Sequence, residues 1–225
     1  MMPFFLRHYE TFASRIIVHD NESTDGTREI VAAHPLTELR TYGTDGTLND
    51  ETMNQIYNSC WKESRADYVI LADVDEFLVH GDIVQFFIDC KVNGVDLPAT
   101  EGYSMVSEEF DPAAQQQIYD LYQNGFRDAT YDKPCVFDPR LVNLRLGIGN
   151  HWGYLENDDR FLLATFDPLF LLHYKYMGRE RFVRRRRIID ERMSETNKVN
   201  NWGIPKYEAA ENFKLALDMA HKIVN

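Results

Sequence analysis

The sequence has little cysteine and no excess of basic charge, and these two shortages exclude several classes of protein. Its 225 residues contain only three cysteines, Cys60, Cys90 and Cys135, which are widely spaced and form no CxxC pair. A disulfide framework or a zinc site built from cysteine pairs is therefore excluded, and we expect free thiols in a reduced compartment. Acidic residues outnumber basic ones 36 to 24, giving a formal net charge of −12. This balance disfavours a nucleic-acid partner, because phosphate contacts need lysine and arginine.

Long hydrophobic runs and linker-like stretches are also missing. No stretch of about 18 consecutive apolar residues is present, so the sequence predicts no membrane-spanning helix. The first residues lack the basic and apolar regions of a signal peptide. No internal repeat, low-complexity tract or Gly/Ser/Pro-rich linker interrupts the chain, and 44% of its residues are hydrophobic. We therefore predict a single globular domain over residues 1–225, located in the cytoplasm.

Strands and helices alternate through the first part of the chain. The hydrophobic pattern predicts an opening helix near residues 4–12, strands at 15–19, 38–42 and 68–72, and helices at 27–33, 50–65 and 82–91. This alternation indicates a parallel α/β sheet covered by helices on both faces. Short strands follow, and helices return at about residues 179–195 and 206–224. The predicted regions are an α/β half at 1–94, a β-rich half at 95–178 and a helical end at 179–225.

Two aspartates, Asp73 and Asp75, follow the apolar run in the segment YVILADVDEF. In an open parallel sheet, ligands collect at the carboxyl ends of the strands, where this pair is expected to lie. Carboxylate oxygens suit Mg²⁺ or Mn²⁺ that bridges the phosphates of a nucleotide. A solvated acidic turn is the alternative interpretation, because a DxD sequence is common by chance.

A second polar stretch, HDNESTDGT at residues 19–27, joins the first predicted strand to the next helix. Ser23 or Thr24 can cap that helix, and the free N–H groups at a helix start attract anions. Asp20 can accept a hydrogen bond from a base or a ribose. Taken alone, a capped turn between strand and helix is the simpler interpretation of this pattern.

Together, DNESTDGT and the later ADYVILADVDEF resemble the nucleotide-sugar-dependent glycosyltransferases of the GT-A fold, specifically family 2-like enzymes. The segments TEGYSMVS, YDKPCVFDP and LLHYKYMG, with Glu76 and Phe77 completing a DxDEF motif, are similar to a bacterial branch of that family. The resemblance spans most of residues 4–178. It implies a Rossmann-like mixed sheet flanked by helices. Because the chain starts at the helix that follows the family's first strand, we expect that strand to be absent.

The resemblance also implies a metal-dependent transfer of sugar from a nucleotide-diphosphate donor, with UDP as the expected nucleotide. Asp20 and Asn21 look like contacts to the nucleoside. Asp73 looks like a ribose contact and a metal-side residue, and Asp75 like the direct ligand of Mn²⁺ or Mg²⁺. Lys133 and Lys175 are candidate countercharges for the diphosphate, whose negative charge grows as the glycosidic bond breaks. Either lysine can equally be a surface residue.

Enzymes of this fold often take a further metal ligand from a histidine late in the chain. His173 is the leading candidate because it follows the apolar run 169–172 at the position used by the family. His151 is the second candidate, since the glycines before it let a ligand approach the backbone. An oxygen-rich site completed by imidazole suits Mn²⁺ better than Mg²⁺. Packing within the core is the alternative for either histidine.

The catalytic base is less evident. An inverting transferase needs a carboxylate to deprotonate the acceptor hydroxyl. The Glu-Asp dipeptide that supplies it in many family 2 enzymes is missing, as is the QxxRW signature of processive polysaccharide synthases. Glu101 and Asp128 are the candidates, because both lie between the DxD sequence and the late histidine. A structural role is the alternative for each of them.

The acceptor side is indicated by aromatic and basic residues. Trp152, Tyr154, Tyr103 and Tyr131 can stack on sugar rings, although core packing explains each equally well. The segment Arg179–Arg192 holds seven arginines and three acids, so it can contact anionic lipid at the inner membrane face. A solvated helix is the alternative. We expect a glycan or lipid-linked glycan acceptor, in the synthesis of a bacterial cell-envelope polysaccharide.

Two other functions fit part of the pattern. A haloacid-dehalogenase-like phosphatase also carries DxD after a buried strand, with Asp73 as its nucleophile, but such enzymes lack the DNESTDGT stretch and normally continue differently at Glu76 and Phe77. A non-catalytic binding module of GT-A-like shape is the second alternative, motivated by the expected absence of the first strand.

Overall fold

The structure is a computed structural model that describes residues 1–156, 169–205 and 207–224. The helices, in chain order, are α1 (Met2–Tyr9), α2 (Thr27–Ala33), α3 (Asp50–Tyr57), α4 (Ile83–Val92), α5 (Ile118–Leu121), α6 (Arg179–Arg192), α7 (Glu195–Asn200) and α8 (Ala209–Met219). The strands are β1 (Ile16–Asp20), β2 (Thr37–Thr41), β3 (Val69–Ile70), β4 (Glu76–Val79), β5 (Thr100–Ser107), β6 (Asn124–Arg127), β7 (Val136–Phe137), β8 (Leu144–Leu146), β9 (Gly153–Leu155), β10 (Leu169–Met177) and β11 (His221–Lys222).

The architecture is mixed α/β with helices flanking the strands, which confirms the predicted fold class. Five strands form one sheet in the order β11–β6–β5–β10–β4, and the pairs β1–β2, β3–β7 and β8–β9 are separate. β1 and β2 are parallel, whereas β4 and β10, β6 and β11, β3 and β7, and β8 and β9 are antiparallel. The expected parallel arrangement therefore holds for β1 and β2 but is wrong for β3, because an apolar run does not specify the direction of its partner.

Three predicted elements are shorter than expected. The helix expected over 50–65 ends at Tyr57. The chain then continues in tighter turns, in which the N–H groups of Ser59, Lys62 and Ser64 bond carbonyls three residues earlier. Within the strand predicted at 68–72, only Val69–Ile70 pairs as a strand. The last helix ends at Met219 and is followed by a strand.

The chain divides into two compact units. The first contains residues 1–49, 105–126 and 174–225, and the second contains residues 50–104 and 127–173. These ranges differ from the three consecutive regions 1–94, 95–178 and 179–225 expected from the sequence. Each unit is assembled from segments that lie far apart in the chain. The boundaries of the units therefore do not coincide with changes in the pattern of predicted strands and helices.

The first unit is held together by aromatic packing. Phe4 of α1 lies 5.8 Å from Phe110 between ring centroids, and Phe182 of α6 lies 5.7 Å from Phe213 of α8. The left-handed backbone of Gly178, at φ 68°, starts α6 where a Cβ atom would come within 3.2 Å of Phe110. Glycine at this position therefore lets β10 turn directly into the arginine-rich helix.

The second unit has its own apolar core. Trp61 packs edge-on against Phe137 at 4.9 Å between centroids and 82° between planes. Around this pair lie the buried side chains of Leu71, Leu97, Val142, Leu144 and Leu146. Since Leu71 follows β3 directly, this core anchors the chain immediately before Asp73. Among the residues described in both units, no helix is long and apolar enough to cross a membrane.

Candidate active site

The chain between β3 and β4 carries the two aspartates on a tight turn, here called the DxD turn (residues 73–75). The backbone N–H of Glu76 donates to the Asp73 carbonyl at 2.9 Å. The backbone N–H of Asp73 donates to Glu76 Oε2, also at 2.9 Å. Asp75 is buried, whereas Asp73 is half-buried and Val74 between them is exposed. The two carboxylates therefore have different surroundings although one residue separates them.

Asp75 contacts His173 within the second unit. Asp75 Oδ1 lies 3.5 Å from His173 Nε2, and the two residues are 2% and 8% exposed. The antiparallel register of β4 and β10, which pairs Glu76 with His173, creates this contact. The other ring nitrogen of His173, Nδ1, is buried without a hydrogen-bond partner, and the Tyr131 ring packs edge-on at 4.3 Å. The predicted metal-ligand pair thus meets in space.

Asp73 has a different partner. Its Oδ1 accepts a hydrogen bond from the Tyr57 hydroxyl at the end of α3. Burial raises the pKa of Tyr57 well above its usual value, and the Asp73 charge raises it further, so the hydroxyl stays protonated and donates. Sequence reasoning missed Tyr57, because its position on the apolar face of a predicted helix suggested core packing.

The described residues contain no group of three or more His, Cys, Asp and Glu side chains arranged to hold a metal ion. Asp73, Asp75 and His173 therefore do not form a ready three-ligand cluster. The Asp75–His173 pair nevertheless offers a divalent ion a carboxylate oxygen and the imidazole Nε2, which lie 3.5 Å apart; the ring nitrogen without a hydrogen-bond partner is the other one, Nδ1. A Mg²⁺ or Mn²⁺ site with few protein ligands is completed by water and substrate phosphates.

Lys133 does not have the free ammonium expected of a diphosphate countercharge. Its Nζ donates to both oxygens of Glu76, at 2.6 and 2.7 Å, and the two side chains are 3% and 0% exposed. Burial acts to lower the pKa of Lys133, but the charges of Glu76 and Asp73 outweigh it and hold the pKa above its usual value. The structure thus corrects the expectation, because the charge of Lys133 is already matched by Glu76.

The two candidates for the catalytic base differ in their surroundings. Asp128 caps the short 3-10 turn Ala129–Tyr131 through the Thr130 N–H and accepts from Ser104 Oγ at 2.7 Å. Glu101 is half-buried on β5 and accepts from the Tyr103 hydroxyl at 3.3 Å. Asp128 has the hydrogen bonds of a structural cap, whereas Glu101 has a single long hydrogen bond among those resolved for its carboxylate.

His151 is exposed at the surface of the second unit. Its Nδ1 lies 3.2 Å from the Thr130 carbonyl oxygen, and its ring meets the edge of Tyr131 at 5.1 Å. The preceding Gly149 has φ 78°, which suits glycine. The structure therefore places His173, and not His151, beside Asp75.

Asp20 and Asn21 belong to the first unit. Asp20 is 4% exposed at the end of β1, and its Oδ2 accepts from the Ser23 N–H at 3.1 Å. Asn21 donates to the Thr47 carbonyl at 3.2 Å and accepts from Thr44 Oγ1 at 3.0 Å. The expected cap at Ser23 or Thr24 is wrong, because α2 begins after Gly26 at φ 83°. Asp20 closes the turn before that helix.

The remaining basic candidates also lie in the first unit. Lys175 is half-buried on β10, with its Nζ 5.4 Å from the Tyr176 ring centroid. Within α6, Arg186 pairs with Asp190, and Arg192 Nε donates to the Gly46 carbonyl at 2.8 Å. Side chains of Arg179, Arg184 and Arg187 are exposed, so only part of the arginine segment is engaged in the fold.

The four aromatic candidates differ in how far they are exposed to solvent. Tyr131 is buried at 6% exposure, whereas Trp152 and Tyr154 are 58% and 54% exposed. The rings of Trp152 and Tyr154 lie 6.4 Å apart with only 23° between their planes. A Cβ atom on Gly147 would come within 2.1 Å of the Trp152 ring, so this glycine allows the indole to lie against the backbone. Tyr103 is half-buried beside Phe170.

Comparison with known proteins gives distant structural similarity only. No family model matches the chain, and no curated protein matches it. The chain is similar to Staphylococcus aureus TarS 1–349 in complex with UDP, at 12% identity and a TM-score of 0.43, over 88% of this chain and 64% of TarS 1–349. For the complex with UDP-GlcNAc the identity is 12%, the TM-score 0.37 and the coverage 82% and 60%.

Similarity to a structure of S. aureus TarS itself is at the same level, with 12% identity, a TM-score of 0.40 and coverage of 96% of this chain and 39% of that one. The chain therefore spans less than two thirds of the length of these structures.

Proposed function

We propose that this protein is a metal-dependent glycosyltransferase that takes sugar from a nucleotide-diphosphate donor, with UDP as the nucleotide. The observation that supports this most strongly is the contact between Asp75 Oδ1 and His173 Nε2 at 3.5 Å. The resemblance to GT-A enzymes predicted these two residues as metal ligands from motifs on different strands. Their contact within one unit supports a role as two of the protein ligands of a Mn²⁺ or Mg²⁺ ion, with water and substrate phosphates as the others.

In this proposal Asp75 and His173 hold the divalent ion, and Asp73 contacts the ribose while Tyr57 keeps its carboxylate oriented. The ion, when bound, neutralises the negative charge that develops on the departing diphosphate. For Asp20 and Asn21, which lie in the first unit, contact with the nucleoside stays a prediction from the family resemblance. Lys133 is paired with Glu76, and the role of Lys175 as a countercharge stays a prediction from the family resemblance.

Glu101 is the better candidate for the base that deprotonates the acceptor hydroxyl. General-base catalysis needs a carboxylate that can reach the proton it accepts. Asp128 has hydrogen bonds to a backbone N–H and to Ser104, and removing it would uncap a turn. Glu101 has a single long bond from Tyr103 among those resolved for its carboxylate, so its carboxylate can exchange that partner for a substrate.

The acceptor is proposed to be a glycan or lipid-linked glycan of the cell envelope. The exposed rings of Trp152 and Tyr154 support this, because the C–H faces of sugars pack on aromatic rings. The exposed arginines of α6, Arg179, Arg184 and Arg187, suit anionic headgroups at the inner face of the membrane. A cytoplasmic location with peripheral membrane contact is consistent with both features.

Isothermal titration calorimetry with UDP, in the presence and absence of Mn²⁺, tests the proposal. We expect Mn²⁺-dependent binding in the wild type and its loss in Asp75→Asn. Asp67→Asn is the matched control, because this carboxylate lies in the same unit with its side chain 76% exposed. Absence of metal-dependent binding by a folded wild type would contradict the proposal.

Two activity measurements separate the alternatives. Hydrolysis of UDP-sugar by the wild type supports a transferase, whereas binding without hydrolysis or transfer would favour a binding module. Turnover of an aryl phosphate that is abolished by Asp73→Asn would instead favour a phosphatase that uses Asp73 as nucleophile.

A further inference from the structure

Glu76, the residue directly after the DxD turn, closes that turn by hydrogen bonds to Asp73. It is 0% exposed at the start of β4. Its Oε2 accepts from the backbone N–H of Asp73 at 2.9 Å, and its own backbone N–H donates to the Asp73 carbonyl at 2.9 Å. One residue therefore holds the turn through both its side chain and its backbone.

The same residue is linked to the strand that carries the metal-ligand histidine. Glu76 and His173 are directly paired in the antiparallel ladder of β4 and β10. Because Asp75 precedes Glu76 in the chain, the position of Glu76 influences both the turn and the Asp75–His173 contact. A shift of Glu76 would move one ligand relative to the other.

The side chain of Glu76 is itself held in place by Lys133. Its Nζ donates to both Glu76 oxygens at 2.6 and 2.7 Å. The Lys133 carbonyl accepts from Thr100 Oγ1 at 2.8 Å and from the Cys135 N–H at 2.8 Å. A buried ion pair contributes little net stability compared with an apolar pair of similar volume, so stability alone does not account for this arrangement.

We infer that Glu76, held by Lys133, is a positioning residue that sets the geometry of the DxD turn and so the affinity of Asp75 and His173 for a divalent ion. The inference rests on the proposed function, because it concerns the same ion site. Groups that orient metal ligands through hydrogen bonds typically change metal affinity by about 10–100-fold when they are removed.

Two double variants separate the hydrogen bond from the charge. Glu76→Gln with Lys133→Met removes both buried charges but keeps an oxygen that accepts from the Asp73 N–H. Glu76→Leu with Lys133→Met removes that oxygen as well. Neither variant leaves an unmatched buried charge, so both are designed to fold. Their thermal unfolding is measured first, and Mn²⁺ affinity in the presence of UDP is then measured by calorimetry.

We expect the glutamine variant to bind Mn²⁺ within about threefold of wild type and the leucine variant to bind at least tenfold more weakly. Equal affinity in the leucine variant and the wild type would overturn the inference while leaving the proposed function intact. Equal weakening of both variants would also overturn it, because the hydrogen bond to Asp73 would then not be the cause. A wild type that binds no Mn²⁺–UDP would overturn the inference and the proposed function together.

Two further variants guard against a purely structural effect. Glu76→Asp keeps the charge but shortens the side chain, so it should fold and still lose about tenfold in Mn²⁺ affinity; unchanged affinity in this folded variant overturns the inference. Asp138→Asn is the matched control, because Asp138 is a buried carboxylate of the same unit paired with Lys91 at 2.7 Å. It should lower stability and leave Mn²⁺ affinity unchanged, and a comparable loss of affinity there would also overturn the inference.

Discussion

Asp75 and His173 bring a carboxylate oxygen and an imidazole nitrogen within 3.5 Å, although one residue ends a turn and the other lies in a distant strand. The contact depends on the register of β4 and β10, since a shift of one residue along an antiparallel strand would turn the imidazole to the opposite face. Both residues are nearly inaccessible to solvent, which would strengthen their electrostatic interaction with the divalent ion proposed above.

His173→Gln should change metal preference as well as affinity. Imidazole favours Mn²⁺ over Mg²⁺ more than an amide oxygen does, so we expect Mn²⁺ affinity to fall at least about tenfold and Mg²⁺ affinity to fall less. Calorimetry with each metal in the presence of UDP measures both. His34→Gln, a change in the first unit, is the control, and an unaltered ratio of Mn²⁺ to Mg²⁺ affinity in His173→Gln would contradict the assignment.

Asp138→Asn should destabilise the protein in a pH-dependent way. Hydrogen bonds from Arg140 and then Lys91 hold the pKa of Asp138 well below its usual value, and its side chain is 1% exposed. The loss should be about 2 kcal/mol at pH 7, less than for a fully buried pair because both cations are partly exposed. Urea unfolding at several pH values measures it.

The sign of this dependence follows from the lowered pKa. The stabilisation is fully present above the unfolded-state pKa of about 3.9 and is lost as the pH falls toward the folded-state value. The difference in unfolding free energy between wild type and Asp138→Asn should therefore be constant from about pH 5 to 8 and shrink below about pH 4. A difference that grows in acid would contradict the assigned contacts.

The three cysteines should differ in reactivity. All three are free thiols, as the sequence predicted, and Cys60 is partly buried while Cys90 and Cys135 are buried. Burial raises the pKa of Cys90 to about 11 and that of Cys135 to about 12. A thiol reagent at pH 8 should therefore modify Cys60 first and reach all three only in denaturant. Cys60→Ser should remove the fast phase, and a fast phase that persists would show that a buried thiol is accessible.

The double variant Trp152→Ala/Tyr154→Ala should impair the use of the acceptor without impairing the use of the sugar donor. Both side chains are more than half exposed, so their removal should cost little stability. We expect transfer to a glycan acceptor to fall about tenfold or more through a higher KM, while hydrolysis of UDP-sugar continues. Val199→Ala, which alters a side chain 79% exposed in the first unit, is the control. Equal loss of hydrolysis and transfer would contradict an acceptor role.

Local sequence patterns predicted much of the secondary structure. The helix near residue 82 begins where Asp82 caps it through the Gln85 N–H, and such a cap is legible within one turn of chain. The helix expected over 50–65 was too long, because a hydrophobic pattern at helical spacing does not distinguish an α-helix from the tighter i→i−3 turns that follow Tyr57. The direction of β3 was also wrong, since its partner β7 comes from a distant segment.

Within the candidate site, residue types were more predictable than their partners. Asp75 and His173 were both expected as metal ligands; they lie in contact, and the shared ion stays a prediction. Lys133 was expected as a countercharge for a diphosphate and instead pairs with Glu76, and Tyr57, which was not among the predicted site residues, donates to Asp73. The signal available for Glu76 was a charged residue opening the otherwise apolar strand EFLV, which implies a buried partner of opposite charge without identifying it.

The sequence by itself determined the reduced thiols, the acidic balance, the α/β class and the two aspartates after an apolar run, because composition and short-range periodicity act within a few residues. Only the tertiary structure decided that His173 rather than His151 contacts Asp75 and that Glu76 matches the charge of Lys133. Those pairings depend on strand register and on contacts between distant segments. No local pattern specifies them, because they arise only when the chain packs.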